Sequence, residues 1–238
     1  MTDRGEFLSQ IRANIARSGV HFTHVQADVC PQFGYSLGLH QAGCPECIIA
    51  GAIFYDLEAR ERIVDAAAKA IIRGDLAFDV TGDGRFFLRP VDTSWIDLLM
   101  LGAKDIYGGE AVAALQIVPG DEGWTIDIPD MSRPWSPNAE PIWKWLKEPW
   151  PYSVSSESTA TTNMAAMRGE AVTEVGRWEV DQWELFAGSG PDTPTDLVRV
   201  VPLATLLAFD ETLKPVVDLP VGSALWREGA GAPWNDWG

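Results

Sequence analysis

A chain of 238 residues that is 46% hydrophobic and 22% charged can bury a full core and is not disordered as a whole. Its 18 basic and 34 acidic side chains give a formal charge of −16, which repels phosphate backbones and anionic lipid, so neither nucleic acid nor a membrane is expected as a partner. Residues 1–7 lack the basic and apolar runs of a signal peptide, no apolar run long enough to span a bilayer follows, and three cysteines, an odd count in a chain this long, do not make the pattern of a disulfide-stapled secreted fold; the expectation is a cytoplasmic protein with reduced thiols.

Phe7, Leu8, Ile11 and Ile15 recur at helical spacing and Gly19 stands where such a helix would stop. Strands are predicted at 20–27, 32–39 and 47–54, the last apolar on both faces and therefore central. Asp56 is placed to cap a helix whose apolar face includes Leu57, Val64, Ala67 and Ile71, with Arg73 and Gly74 ending it. Two short strands at 77–80 and 86–91 flank the turn Thr81-Gly82-Asp83-Gly84. A helix capped by Thr93 and running through Trp95, Leu98, Leu99 and Ile106, then a strand at 113–118, complete an irregular mixture of elements without a βαβ repeat, which reads as α+β.

Six prolines (129, 134, 137, 141, 149 and 151) and four tryptophans (135, 143, 145 and 150) follow. Such proline density excludes a long helix or a central strand, while the aromatics argue against a flexible linker. A packed connector with a short helix near 142–147 is expected to clamp two domains, giving the division 1–128, connector 129–147 and 148–238. Beyond the connector, strands are predicted at 171–178, 182–187 and 197–201, and Pro202 opens a helix through Leu203, Leu206 and Leu207. This second half is expected to be a small antiparallel sheet with one covering helix. The fold class is thus α+β with two domains, each a mixed or antiparallel sheet with covering helices.

Particular residues carry two resemblances. Gly19, the run Phe33-Gly34-Tyr35-Ser36-Leu37-Gly38-Leu39, then Pro45-Glu46-Cys47-Ile48-Ile49-Ala50-Gly51, with Gly74, Tyr107-Gly108 and Gln116, resemble family 4262 of the bacterial domains of unknown function over roughly residues 6 to 128. That resemblance implies a fold and no chemistry. Trp150-Pro151-Tyr152, Thr161-Thr162-Asn163, the Asp181, Trp183, Phe186 and Gly188 pattern, and the segments 201–207 and 219–226 resemble the family 2185 domain of unknown function, immunity protein family 33, over roughly residues 148 to 235. This implies a non-catalytic protein that neutralises a polymorphic toxin by direct binding.

The three histidines and three cysteines all fall between residues 21 and 47. His21 and His24 with Cys44 and Cys47 superficially offer the two imidazoles and two thiolates of a zinc site, and a metal- or thiol-dependent enzyme or regulator built on them is the alternative reading. Against it, two histidines three apart on a strand face opposite ways, and Cys47 continues into an apolar run as a small buried hydrophobe would. Glu46, near His40, lacks a nucleophile or second acid and is expected in a cap or turn. No phosphate loop, nucleophile elbow, zincin or dinucleotide motif is present, nor an EF-hand calcium loop. No cofactor is expected. The binding reading places the contact on the acidic second half, with Trp183 and Trp226 as aromatic anchors and Asp181 and Glu184 beside them, against a toxin domain with a basic surface. A third reading is a two-domain scaffold of unknown role.

Overall fold

The computed structural model of the protein describes residues 4–237. It divides into two compact units. The first contains the described residues up to Val25, Phe33–Trp124 and Asp130–Trp135; the second contains Gln26–Gln32, Thr125–Pro129 and the described residues from Ser136 onward. The Pro/Trp-rich segment is therefore divided between the units, Asp130–Trp135 in one and the rest in the other.

The first unit opens with helix α1 (Arg4–Ser18), which buries Ile11 and Ile15 and leaves Phe7 exposed. Strands β1 (His21–Val25), β2 (Phe33–Leu37) and β3 (Glu46–Ala50) form an antiparallel meander. Helix α2 (Leu57–Arg73) packs on this sheet. As the sequence predicts, the Asp56 carboxylate accepts from Ala59 N at 2.8 Å, and the left-handed Gly74 ends the helix. Leu57, expected on its apolar face, is exposed instead, and burial in this helix starts at Ala59. The hairpin β4 (Ala77–Val80) and β5 (Gly84–Pro90) leads to α3 (Thr93–Leu99) and α4 (Leu101–Ile106), and β6 (Ala114–Pro119) closes the sheet.

The cap of α3 is Asp92 rather than Thr93: its carboxylate accepts from Ser94 N at 2.9 Å and from the Ser94 hydroxyl at 2.7 Å. The single helix expected here breaks at Met100, which leaves the helical region (φ −95°, ψ 49°) and is wholly buried. The six strands lie in the order β1-β2-β3-β6-β5-β4, with β3 and β6 the one parallel pair. All five residues of β3 are buried, which is the central position its continuous apolar run implies.

The second unit holds the short 3₁₀ helix Pro141–Leu146 in the expected place, with Ile142, Trp143 and Trp145 buried. Trp143 Nε1 donates to Asp127 O at 3.0 Å, so this proline-rich stretch is packed structure. Strand β7 (Thr159–Asn163) leads into the one-turn helix α5 (Met164–Met167), followed by β8 (Glu174–Glu179), β9 (Gln182–Phe186) and β10 (Val198–Pro202). Helix α6 (Leu203–Phe209) starts directly after Pro202, and β11 (Ser223–Trp226) and β12 (Asn235–Asp236) complete the unit. The sheet order is β10-β7-β9-β8-β11-β12.

Two features depart from the expectation for this half. The sheet has six strands rather than three, and it is mixed, because β7 runs parallel to β9. Strand β7 escapes the period-two reading because its sequence, Thr-Ala-Thr-Thr-Asn, offers no apolar alternation, although Ala160 and Thr162 are buried. Both six-stranded sheets carry helices, so the fold class is α+β.

Candidate functional site

In the second sheet, residues paired across neighbouring strands point to the same face, so the registers sort every side chain. Ala160, Val175, Trp183 and Leu185 share one face, which is buried against α6 and the 3₁₀ segment Glu211–Asp218. The opposite face carries Glu174, Gly176, Glu184 and Phe186 from β8 and β9, and Ala224 and Trp226 from β11. Trp237 joins them, its amide donating to Ala224 O at 3.0 Å. None of the described residues that line this side belongs to a helix. Trp178 is 52% exposed, Trp237 51% and Trp226 39%.

Trp178 and Trp237 frame a groove of about 400 Å³ lined also by Phe186, Pro191, Glu174 and Glu184, with no basic side chain among the described residues of its wall. Trp178 Nε1 donates to one Glu184 oxygen at 2.8 Å, and one Glu174 oxygen accepts from Gly190 N at 2.9 Å. A second hollow, sharing Glu174 and Trp237, continues toward Trp226.

Of the four residues proposed from sequence as contacts, Trp226 and Glu184 lie on this face, and Asp181 is exposed in the β8–β9 turn. Trp183 is corrected: it is 1% exposed, its indole donates to Val216 O at 3.4 Å, and the Arg177 guanidinium stacks on its ring at 4.2 Å. It is a core residue paired with Ala160 on the buried face, and the irregularity in the β8–β9 register between Gly176 and Glu179 turns Trp178 to the opposite face. Trp178 and Trp237 take the exposed places. Sequence spacing carries no signal for this, because the two residues lie on different strands and only the register between those strands assigns their faces.

In the first unit, the sequence blocks Phe33–Leu39, Pro45–Gly51 and Tyr107 converge on one buried carboxylate. Glu46 is fully buried at the start of β3. Its Oε2 accepts from Ser36 Oγ at 2.6 Å; its Oε1 accepts from Tyr107 Oη at 2.5 Å, Gly38 N at 2.9 Å and His40 N at 3.0 Å. Gly38 N also donates to Tyr107 Oη at 2.6 Å, and Ser36 Oγ accepts from Cys47 N at 2.8 Å. Burial, then the Glu46 carboxylate, pushes the Tyr107 phenol well above its ordinary value. Four donors on one carboxylate that is closed to solvent form a satisfied hydrogen-bond hub. Its bonds to the Gly38 and His40 amides, at the entry to the short 3₁₀ helix His40–Ala42, are the cap-and-turn role expected from the sequence, made here by a residue deep in the sheet.

Gly38 completes the arrangement. Its φ is +123°, and a Cβ there would lie 2.3 Å from Gly19 O, so the backbone crossing requires glycine at 38, while Gly19 answers to its own positive φ of +80° after α1. Residues 14–124 match the family model described as Domain of unknown function (DUF4262). No curated protein and no solved structure matches the chain. The DUF4262 segment ends at the close of the first unit's main stretch, and the Glu46 hub lies wholly within it.

The histidine and cysteine candidates do not come together. Among the described residues no three His, Cys, Asp or Glu side chains are placed to hold a metal ion. His21 and His24 lie on β1; His21 faces Asn14, whose Nδ2 is 3.2 Å from its Nδ1. Burial lowers the pKa of both imidazoles, with the nearby Arg60 cation lowering His24 further. Cys47 is fully buried on β3 and its thiol is pushed up to about 12 by burial, while Cys44 lies outside the sheet and is partly exposed. All three cysteines are free thiols. The physical reason is the one visible in the spacing: period two separates the histidines, and Cys47 serves as a small apolar residue.

Proposed function

We propose that the protein is a non-catalytic binding protein that docks a basic protein surface on the open face of its second sheet, in the manner of an immunity protein that neutralises a toxin domain. The observation that carries this reading is the exposure of Trp178, Trp226 and Trp237 on one sheet face, along a groove walled by Glu174 and Glu184 and the hollow that continues it. Tryptophan is over-represented among residues that dominate binding energy, and a soluble domain seldom leaves three of them clustered in water. The acidic charge of the chain supports a basic partner, since it accelerates encounter and disfavours acidic competitors. The resemblance of residues 148 to 235 to immunity protein family 33 supports a toxin as that partner.

The test is affinity capture from the native host with the wild-type chain and with a Trp178→Ala/Trp226→Ala/Trp237→Ala variant. The expected result is a stoichiometric secreted-toxin fragment on the wild-type bait and its loss from the variant. A partner held equally by both, or none on the wild-type bait, would overturn the reading. Raising the salt concentration should also slow association of the captured pair, because screening weakens long-range steering.

A further inference from the structure

We propose that the groove between Trp178 and Trp237 is a guanidinium subsite that takes a single arginine side chain of the docking partner. The floor is flat and apolar because two glycines let rings lie against backbone. A Cβ on Gly176 would meet the Trp178 indole at 3.0–3.2 Å, and one on Gly190 would meet the Phe186 ring at 2.7–3.1 Å. Both rings thereby occupy space that any side chain at those positions would claim.

Charge complementarity selects the occupant. Glu174 and Glu184 sit diagonally across the β8–β9 pair, since Glu174 faces Phe186 and Gly176 faces Glu184; that relation puts them about 7–8 Å apart at the backbone. Each carboxylate uses one oxygen internally, Glu184 for the Trp178 indole and Glu174 for Gly190 N, which holds the side chain in place and leaves its other oxygen for a ligand. No basic residue lines the groove to neutralise them.

The apolar walls favour guanidinium over ammonium. Guanidinium is planar, weakly hydrated across its faces and carries several in-plane donors, so it stacks on an indole while bonding to two separate oxygens; an ammonium keeps its hydration shell. The same unit already makes this contact internally, with Arg177 over Trp183 at 4.2 Å and Arg227 over Trp234 at 4.4 Å. Among the described residues no cation lies over the Trp178 or Trp237 ring.

The inference rests on the docking reading only for the identity of the molecule that carries the guanidinium, and the experiment separates the two. The full chain, labelled at its indole nitrogens, is titrated with acetyl-arginine amide, acetyl-lysine amide and acetyl-citrulline amide, and the Trp178 and Trp237 indole signals are followed. The expected result is a saturable millimolar shift with the arginine probe, about tenfold weaker binding of the neutral citrulline isostere, and weaker binding of lysine. Glu184→Gln, which keeps an oxygen for the Trp178 indole, should weaken the arginine probe by a similar factor, with the other indole signals unmoved as a check on folding. Equal binding of arginine and citrulline, lysine binding as well as arginine, no saturable shift, or an unchanged Glu184→Gln variant would each overturn the subsite. A toxin fragment lost with the tryptophans while the arginine probe fails to bind would remove the subsite alone. Arginine binding without any partner dependence on the tryptophans would remove the docking reading alone.

Discussion

Replacing Glu46 should test whether the first unit is organised around its carboxylate. Glu46→Ala removes the acceptor of Ser36 Oγ, His40 N and Tyr107 Oη, while Gly38 N keeps its second acceptor, Tyr107 Oη. Three buried donors left without a partner cost about 1–3 kcal/mol each, so about 3–9 kcal/mol in total. Glu46→Gln is the control of matching size. Its amide oxygen serves the three donors now on Oε1, and its NH₂ meets Ser36 Oγ, whose hydroxyl proton then loses its acceptor, for a loss of about 1–3 kcal/mol. Urea unfolding read by tryptophan fluorescence gives the overall change, and hydrogen exchange at the Gly38 and His40 amides reads the first unit by itself. Glu46→Ala should accelerate exchange at both amides far more than Glu46→Gln. If both variants stay within about 0.5 kcal/mol of wild type, in the range of neutral surface substitutions, the hub contributes no stability and the reasoning fails.

Trp183→Ala should destabilise the second unit by about 3–5 kcal/mol, the usual cost of emptying a buried aromatic site, whereas Trp178→Ala at the exposed face should stay within about 1 kcal/mol; chemical denaturation distinguishes them. Gly38→Ala should cost more than Gly43→Ala, since both have positive φ but only at Gly38 would the new Cβ collide with backbone, at Gly19 O; comparable melting temperatures for the two would refute the crossing. Tyr55 is held up to about 12 by burial first and then by the Asp83 and Glu122 carboxylates. Its folded pKa lies above the unfolded value of about 10, so the stabilisation is complete below pH about 10 and declines as pH rises toward about 12. Tyrosinate absorbance should therefore appear later in the native protein than in urea, and Tyr55→Phe should shrink the delay; coincident titrations would exclude it.

Much of the first unit was legible in the chain. Helix α2, its Asp56 cap and Gly74 stop, and the central β3 follow from periodicity, capping chemistry and an unbroken apolar run, all of them local signals. The break at Met100 was not legible, because a buried residue leaves helical geometry there for the sake of packing. Strands β7, β11 and β12 were missed because Thr-rich and very short segments owe their extended form to partners distant in sequence.

The candidate face shows the same division. Its composition, an acidic half rich in tryptophan, was plain from the sequence, but Trp183 was expected outward and is buried. That Trp178 takes the exposed place, and that Trp237 lies beside Trp226 next to Glu174 and Glu184, depended on hydrogen-bond register between four strands. Likewise Ser36, Gly38, Glu46 and Tyr107 stand apart in sequence, and only the sheet makes them one network. Local propensity and spacing thus determined where most helices and central strands begin and end. Only tertiary structure decided which face each strand turned to water, because strand pairing, unlike a helix, is specified by residues far away in the chain.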